Sequence, residues 1–195
     1  MKKMLLVAVA ALACTMAYAQ PRAIGGRLGA FNGVSYQHAL GESNMLEIEA
    51  GYSIRGNAEY WGHWNCCNVD GRCRSWGYSI QAAATYDWID PFGAKFPELE
   101  KGGFHWYMGV GGAGGYGLWS FTSHDENDYK WGFVAAAGRV GVEYDFWFPL
   151  QLSIDWRPTI GAAIGNFDWS GLRAGMYYEV TSLAIGVRYM FNRKD

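Results

Sequence analysis

The sequence predicts an all-β protein, an eight-stranded antiparallel up-and-down transmembrane β-barrel. Three observations predict this fold. Apolar residues recur at every second position in eight separate segments, aromatic residues (17%) and glycine (27 residues) are abundant, and no run of about 20 apolar residues that could form a membrane-spanning helix follows the N-terminal region. Because the side chains of a β-strand alternate between its two faces, each such segment indicates a strand with one apolar face.

Residues 1–19 are predicted to be a cleaved secretory signal peptide, which leaves residues 20–195 as the barrel domain. Two lysines precede an apolar run, and the small-residue stretch "AYAQ" follows it at residues 17–20. This order of charged, apolar and small residues is typical of such signals, and the run is too short for a transmembrane anchor. Cys14 raises the alternative of lipoprotein processing, but Ala11 stands where a leucine usually precedes the modified cysteine.

The net charge argues against a nucleic-acid partner. The 16 Lys and Arg residues and 18 Asp and Glu residues give a formal charge of −2, and removal of the signal with its two lysines lowers this charge to −4. Nucleic-acid binding requires a basic surface, which a chain with this charge balance does not supply.

The eight strands are separated by recognisable turns. They are predicted at residues 23–31, 34–40, 45–52, 76–88, 104–118, 134–146, 150–157 and 183–191. Asn32-Gly33 joins the first two strands, since this pair accepts the positive φ values of a two-residue hairpin. A polar turn at residues 41–44 leads into the third strand, which carries Glu47 and Glu49 opposite its apolar face.

The fourth strand shows the membrane pattern most clearly. Its apolar face has aromatic residues at both ends and small aliphatic residues between them. This arrangement is typical of transmembrane barrels, because a Trp or Tyr ring at the interface keeps its apolar body in lipid and its polar atom in water. The predicted aromatic girdles comprise Trp76, Tyr78, Tyr86, Trp88, Trp106, Tyr144 and Trp156.

The next three strands continue the alternation. In the fifth strand, Trp106 is on the apolar face and Tyr107 is on the other face. In the sixth strand, Val140 is on the apolar face and Arg139 is on the other face. The seventh strand begins after a break that ends with Pro149. A shift of the sixth strand by one residue would turn Arg139 toward lipid at a cost of roughly 2–4 kcal/mol at mid-depth. The charged residues therefore fix which face of each strand points outward.

The faces opposite the apolar rows hold single charged residues among Gly, Ser, Ala and Gln, and they carry few lysines, unlike a water-exposed sheet. We expect these faces to point inward, where eight strands leave a bore that side chains can fill. The predicted interior ion-pair network comprises Arg27, Glu47, Glu49, Arg139, Glu143, Asp155, Arg157 and Arg188. Since an unpaired buried charge is costly, these groups should pair and fill the interior; a proton path or small conduit is the alternative.

Three segments carry a resemblance to a known group of proteins. "GVEYDF", "PLQLSIDWRP" and "LAIGVRYMF" resemble the small outer-membrane barrels of the OmpA/OmpX type, and especially uncharacterised porin-like barrel proteins of Bacteroidetes-type bacteria. The resemblance implies a location in the outer membrane of a Gram-negative bacterium, in contact with membrane lipid and lipopolysaccharide. It also implies that the last strand, with Val187, Tyr189 and Phe191, is the insertion signal read by the outer-membrane assembly machinery.

Two motifs fit structural roles better than ligand sites. "GVGGAG" (Gly109–Gly114) matches the dinucleotide-binding pattern G-x-G-x-x-G, but that pattern needs a helix opening after a strand, and this run lies within a strand. Its glycines should relieve crowding inside the barrel or allow a bend. Three cysteines share one loop of an exported chain, which favours a disulfide between Cys73 and either Cys66 or Cys67. A zinc site that adds His63 is the weaker alternative, because adjacent cysteines fit a tetrahedral site poorly.

No catalytic residue, metal site or cofactor is predicted. Eight-stranded barrels of this kind include deacylases and palmitoyltransferases that act on lipopolysaccharide, and a deacylase needs a His–Ser pair with an acidic partner on the lipid side near the outer rim. His38 and His105 fall near the opposite, periplasmic end. His124 lies between Ser123 and Asp125 in a polar loop, which is too mobile a setting for a preorganised triad.

The predicted function is therefore a structural or surface-contact, adhesion-like role with an extracellular surface partner and no enzyme activity. Loops predicted at residues 53–75, 120–131 and 159–182 hold aromatic residues that suit such contact, although strands that extend above the membrane explain them equally well. The alternatives are a narrow channel, a lipid-modifying enzyme and a secreted lipocalin-like carrier. The connection at residues 89–103 is long for a periplasmic turn, which suggests a small helical plug or a miscounted strand.

Overall fold

The chain folds as a closed eight-stranded antiparallel β-barrel, which confirms the predicted fold class. The computed structural model describes residues 21–56, 75–97, 99–121, 128–166 and 172–191. Within these ranges, ten strand segments form the wall: β1 (Pro21–Gly29), β2 (Asn32–Ala39), β3 (Asn44–Gly56), β4 (Ser75–Ile89), β5 (Gly103–Phe121), β6 (Asp128–Asp145), β7 (Leu150–Trp156), β8 (Thr159–Asn166), β9 (Leu172–Glu179) and β10 (Leu183–Met190). Outside the described residues lie the predicted signal peptide, His63, Cys66, Cys67, Cys73 and the stretch Ser123 to Asp125.

Two pairs of segments each form one barrel strand, so ten segments give eight strands. β7 and β8 keep a single register against β6, with Val140 opposite Trp156 and Ala137 opposite Thr159. Pro158 lies between the two segments and lacks the N–H that would continue the ladder. Its carbonyl still accepts a hydrogen bond from the Gly138 amide at 2.9 Å, so the strand runs on without a change of direction.

A β-bulge separates β9 from β10. Glu179 pairs with Thr159 and Leu183 pairs with Trp156, so three residues on this strand face two on its neighbour. The extra residue reverses the alternation, because both Val180 and the residue after it point outward. The prediction of a loop at residues 159–182 is therefore wrong for β8 and β9. Because the bulge reverses which residues point outward, β9 does not continue the alternation of β10, and it was not recognised as part of the last strand.

The barrel closes where β1 pairs with β10, with Arg27 opposite Gly186. From β1, hydrogen-bonded neighbours run in chain order to β6, which pairs with both β7 and β8. The wall is uneven in height. β1 and β2 have 9 and 8 residues, whereas β5 and β6 have 19 and 18. The strands opposite the β1–β2 hairpin therefore rise well beyond it.

The apolar face of each strand points away from the barrel. In β10, Ile185, Val187 and Tyr189 are 52, 45 and 54% exposed. Ala184 and Arg188, which alternate with them, are 3 and 1% exposed. The barrel therefore places its charged residues inside and its aliphatic residues outside, which is the reverse of a water-soluble sheet.

The connection from β4 to β5 contains a single 3-10 turn at Pro91–Gly93, and its other described residues, through Gly102, have irregular backbone. Both sequence-based interpretations of this connection are wrong for its described part, since it is neither a helical plug nor a strand. The described part of the chain contains no helix of the length and apolarity needed to cross a membrane.

Candidate functional site

The interior of the barrel holds a network of buried charged side chains. The structure brings together all eight residues predicted for the ion-pair network, each with a relative exposure of 3% or less. They lie at inward positions of β1, β3, β6, β7 and β10, except that Arg157 follows the last residue of β7. Charged groups from opposite sides of the barrel therefore meet at its centre.

Arg139 on β6 has three carboxylates within 3.1 Å. Its Nη1 lies 2.5 Å from an oxygen of Glu47 and 2.9 Å from an oxygen of Asp87, and its Nη2 lies 3.1 Å from an oxygen of Asp155. The ring centroid of Tyr107 lies 4.7 Å from the guanidinium carbon, and the Tyr107 hydroxyl accepts a hydrogen bond from Nη2 at 3.1 Å. A planar guanidinium with five donors suits such a junction.

Glu49 and Asp155 each accept hydrogen bonds from two arginines. Arg27 forms a bidentate ion pair with Asp155, in which Nη1 donates to Oδ2 at 2.9 Å and Nη2 donates to Oδ1. The same Nη1 donates to Glu49 at 2.5 Å, and Arg157 donates to the other oxygen of Glu49. Two parallel hydrogen bonds fix both groups in one orientation.

Arg188 on β10 extends the network to neutral side chains. Its Nη2 donates to Glu47 at 2.7 Å. Its Nε donates to the Ser35 hydroxyl at 2.6 Å, and its Nη1 donates to the Ser153 hydroxyl at 2.6 Å. The bonds to Ser35 on β2 and Glu47 on β3 cross the seam between the first and last strands, so they stabilise barrel closure as well as filling the bore. The bond to Ser153 joins β10 to its other neighbour, β7.

Besides these serines, the network includes Arg22, Gln37, Asp87 and Tyr107, which were not predicted as members from the sequence. Arg22 donates to Glu143 and, at 3.2 Å, to Gln37. Alternation places Arg22 on the outside, but the register of β1 against β2 shifts between Pro21 and Ala23, and this bulge turns the side chain inward. Asp87 lay on the polar face of the predicted fourth strand, so its phase alone would have identified it.

Inward glycines make room for this network. A Cβ built at Gly141 would lie 2.6 Å from both Cζ and the hydroxyl oxygen of Tyr107, and one at Gly109 would lie 1.8 Å from Asp87 Oδ1. Gly109 belongs to the Gly109–Gly114 run, which lies within β5 and opens no helix. The structure thus gives these glycines a packing role.

Replacing Gly141 with alanine should lower the free energy of unfolding by roughly 1–3 kcal/mol, because the new methyl group overpacks the interior against Tyr107. Gly26 is the matched control, since a Cβ there meets no atom within 4 Å and points outward. Urea titration of both alanine variants in lipid vesicles measures the difference. Equal stability of the two variants would show that the interior is not packed as described.

The ring of Phe31 covers the network at the β1–β2 hairpin. The turn of this hairpin precedes Asn32-Gly33, so the turn predicted at this pair is wrong, because both residues lie in β2 and pair with β3. Phe31 is 2% exposed, and its ring centroid lies 5.2 Å from the guanidinium carbon of Arg157. The Ser53 hydroxyl donates to the carbonyl of Ala30 at 2.8 Å, which ties the hairpin to β3. The hairpin tip therefore folds over the charged side chains.

A second, aromatic layer fills the interior on the taller side of the barrel. The rings of Trp131 and Phe133 stack with centroids 5.6 Å apart, and those of Phe133 and Tyr177 stack at 4.2 Å. All three are buried, in a cluster with alanines from β4, β5, β6 and β8. This layer was not predicted from the sequence, because Trp131 and Phe133 precede the predicted sixth strand and Tyr177 falls in the last predicted loop.

The predicted girdle residues lie on the outside wherever the structure describes their side chains. Tyr78, Tyr86, Trp88 and Trp156 are 48, 37, 39 and 43% exposed, and Trp106 and Tyr144 are half-buried. Trp76 belongs to β4, but its side chain is outside the described part. The three residues of the predicted insertion signal, Val187, Tyr189 and Phe191, are 45, 54 and 48% exposed.

The two histidines in the described part pair with tyrosine and aspartate. The Tyr36 hydroxyl oxygen lies 2.8 Å from His38 Nδ1, and Asp90 Oδ2 lies 2.8 Å from His105 Nδ1. Neither contact supplies the serine of a His–Ser pair. Among the described residues, no three His, Cys, Asp or Glu side chains are grouped as metal ligands.

Comparison with solved structures returns barrels of similar size at low sequence identity. A major outer membrane protein from Thermus thermophilus is 13% identical, with a TM-score of 0.49 over 89% of this chain and 100% of that one. Ail, the attachment invasion locus protein of Yersinia pestis, solved with the heparin analogue sucrose octasulfate, is 14% identical, with a TM-score of 0.39 over 88% of this chain and 98% of its own.

No protein-family model matches the sequence, and neither does any curated protein. The finer resemblance to porin-like proteins of Bacteroidetes-type bacteria therefore has no family match behind it. The roles assigned to individual residues rest on the geometry of this chain alone.

Proposed function

We propose that this chain is an integral β-barrel of the outer membrane of a Gram-negative bacterium, with a sealed interior and a structural or surface-contact role. The observation that carries the proposal is the mutual pairing of the interior charges. Arg27, Arg139 and Arg157 bind carboxylates that reach them from other strands. Because these interior groups form ion pairs with one another, we assign the surface-contact role to the exterior and the ends of the barrel.

The exposed aliphatic side chains support a membrane location. Val134, Ile80 and Ile160 are 76, 63 and 60% exposed on the outer face of three different segments. Burying such a side chain is worth roughly 1.5–3 kcal/mol, and contiguous apolar surface of this kind marks contact with protein or membrane. A closed barrel without edges satisfies its backbone inside the hydrocarbon.

The turns indicate the orientation. The turns at residues 40–43 and 146–149 are short and lie at the same end as Pro21 and Phe191. Short turns of outer-membrane barrels face the periplasm, so the β1–β2 hairpin and the tall side of β4–β6 would face outward. An extracellular surface partner would meet this taller side, while the outer wall contacts membrane lipid and lipopolysaccharide.

The outward row of Val187, Tyr189 and Phe191 on β10 fits a signal for the outer-membrane assembly machinery. These side chains alternate with buried residues up to the end of the barrel, and the rings of Tyr189 and Phe191 are in edge contact with centroids 5.5 Å apart. No cofactor enters the proposal. The proposal includes no enzyme activity, and neither histidine in the described part contacts a serine.

Planar-bilayer recording tests the sealed interior. The purified, refolded chain should add no stepwise current above the bare membrane, because guanidinium and carboxylate groups occupy the bore and Phe31 covers them. A known porin in the same membrane is the positive control. Reproducible unitary steps would contradict the proposal and favour the narrow channel, whereas a change in lipid A mass on expression would favour a lipid-modifying enzyme.

A further inference from the structure

The connection between β4 and β5 lies against the outside of the barrel wall. The Trp106 indole donates a hydrogen bond to the carbonyl of Ala94 at 2.6 Å, and the Tyr144 hydroxyl donates to the carbonyl of Lys101 at 2.8 Å. Trp106 and Tyr144 alternate with the inward Tyr107 and Glu143, so both point away from the bore. The described part of the connection is therefore attached to the apolar face of the wall and does not enter the interior.

The start of the connection is hydrogen-bonded to β5 and has an unusual backbone conformation. The Asp90 amide donates to the Trp106 carbonyl at 2.8 Å, and its carboxylate accepts from the Trp106 amide at 3.2 Å. Asp90 and Phe92 have φ values of 47° and 61°, a region that a bulky residue such as Phe92 rarely adopts. The Phe92 side chain is nevertheless 91% exposed. This backbone holds an aromatic ring out into the surroundings.

A chain of contacting rings joins the connection to the next turn. Ring centroids are 5.7 Å apart for Phe96 and Phe104, and 4.7 Å apart for Phe104 and Tyr144. The contacts continue through Phe146, whose ring lies 4.7 Å from Tyr144. We call the exposed apolar residues of this region the apolar skirt. It comprises Phe92 (91% exposed), Phe96 (45%), Leu99 (46%), Phe104 (44%), Trp147 (54%) and Phe148 (41%).

We propose that the apolar skirt lies in the interfacial region of the periplasmic leaflet and binds phospholipid there; this inference rests on the membrane location proposed above. The skirt is continuous with the lipid-facing wall, because Phe104 is an outward residue of β5. Aromatic rings favour this interface, and an apolar patch of this kind is unusual on a surface that meets only water.

Two exposed lysines and one exposed carboxylate, that of Glu100, lie in the same connection. Lys95 and Lys101 are both exposed, and the Lys101 ammonium lies 5.9 Å from the ring centroid of Trp147. A lysine stem can lie along apolar surface while its ammonium reaches the headgroup level. The two ammonium groups would bind lipid phosphates while the rings enter the acyl boundary.

Depth-dependent quenching tests this placement. Phe92→Cys, in a chain whose Cys14, Cys66, Cys67 and Cys73 are serine, carries an environment-sensitive fluorophore into phosphatidylethanolamine–phosphatidylglycerol vesicles. Glu42→Cys in the polar turn and Ile185→Cys on the outer wall are the matched sites. A nitroxide near the lipid headgroup should quench the label at position 92 more than a nitroxide deep in the lipid acyl chain does. The label at position 185 should show the reverse order.

Each outcome decides between distinct readings. A label at position 92 that iodide quenches as strongly as at position 42 overturns the inference. Shielding of position 92 from both iodide and lipid nitroxides, dependent on the protein-to-lipid ratio, assigns the skirt to a second copy and also overturns it. Loss of lipid quenching at position 185 would instead refute the proposed membrane location. Leu99→Cys repeats the test, with heat-modifiable gel migration as the check that each variant is folded.

Discussion

Replacing Arg139 with methionine should lower the free energy of unfolding by about 3–5 kcal/mol, the range expected when one partner of a buried ion pair is removed. The variant leaves Glu47, Asp87 and Asp155 without the guanidinium that contacts all three. Charged oxygens that face one another in the bore then repel across a medium of low polarity. Urea titration in vesicles, followed by tryptophan fluorescence, measures the loss.

The matched control is Lys130→Met, because Lys130 is an exposed residue of the same strand. Its substitution should change the stability by no more than about 0.5 kcal/mol. A loss for Arg139→Met that does not exceed the control would show that the interior charges do not depend on one another.

A double variant isolates the pairing from the volume change. Asp87 contacts Arg139 at 2.9 Å and accepts from the Thr85 hydroxyl at 3.1 Å. Adding Asp87→Asn to Arg139→Met removes a stranded carboxylate, so the double variant should be more stable than the sum of the single losses by roughly 0.5–3 kcal/mol. Strict additivity would contradict the ion pair.

Replacing Ile185 with arginine should have the second large effect, a loss of roughly 2–4 kcal/mol if the position lies near the bilayer midplane. Ile185 pairs with Leu28 on one side and Ile154 on the other, so its neighbours on the outer wall are also aliphatic. An arginine there exchanges an apolar contact with lipid for a charge in hydrocarbon.

Ser43→Arg is the control for Ile185→Arg, since Ser43 is exposed in the polar turn between β2 and β3. Folding yield into vesicles and urea midpoints compare the two variants. Equal tolerance of arginine at both positions would mean that water reaches the outer wall at Ile185.

The strand pattern of the barrel could be predicted from sequence where alternation is unbroken. The facing of β10 follows from Arg188 alone, because only one phase keeps that guanidinium out of lipid. Prediction failed where an extra residue changes the phase. The bulge at Val180 to Ser182 reversed the alternation between β9 and β10, and the shift between Pro21 and Ala23 turned Arg22 inward.

The contents of the interior could be predicted, but its pairing could not. Inward phase identifies which charges enter the bore, yet the choice of Glu49 as the partner of both Arg27 and Arg157 depends on the stagger between strands. The aromatic layer of Phe133 and Tyr177 was also out of reach. The small side chains of Ala113 and Ala135 leave room for these rings, but this role can be recognised only once the strand register is known.

The position of the connection between β4 and β5 could not be predicted from the sequence either. Length alone suggested an insert inside the barrel, whereas hydrogen bonds from Trp106 and Tyr144 hold the segment outside. Both donors are girdle residues by sequence pattern. Their use as attachment points for a neighbouring segment has no signature in the period-two alternation.

Spin-label accessibility along β10 in lipid bilayers tests the central claim most directly. Nitroxides at positions 183, 185 and 187 should collide freely with oxygen, which concentrates in hydrocarbon, and rarely with a water-soluble nickel complex. A nitroxide in place of Ala184, an inward residue, should show low accessibility to both. High nickel accessibility at positions 185 and 187 would mean that water, rather than lipid, covers the outer wall, and the membrane assignment would be wrong.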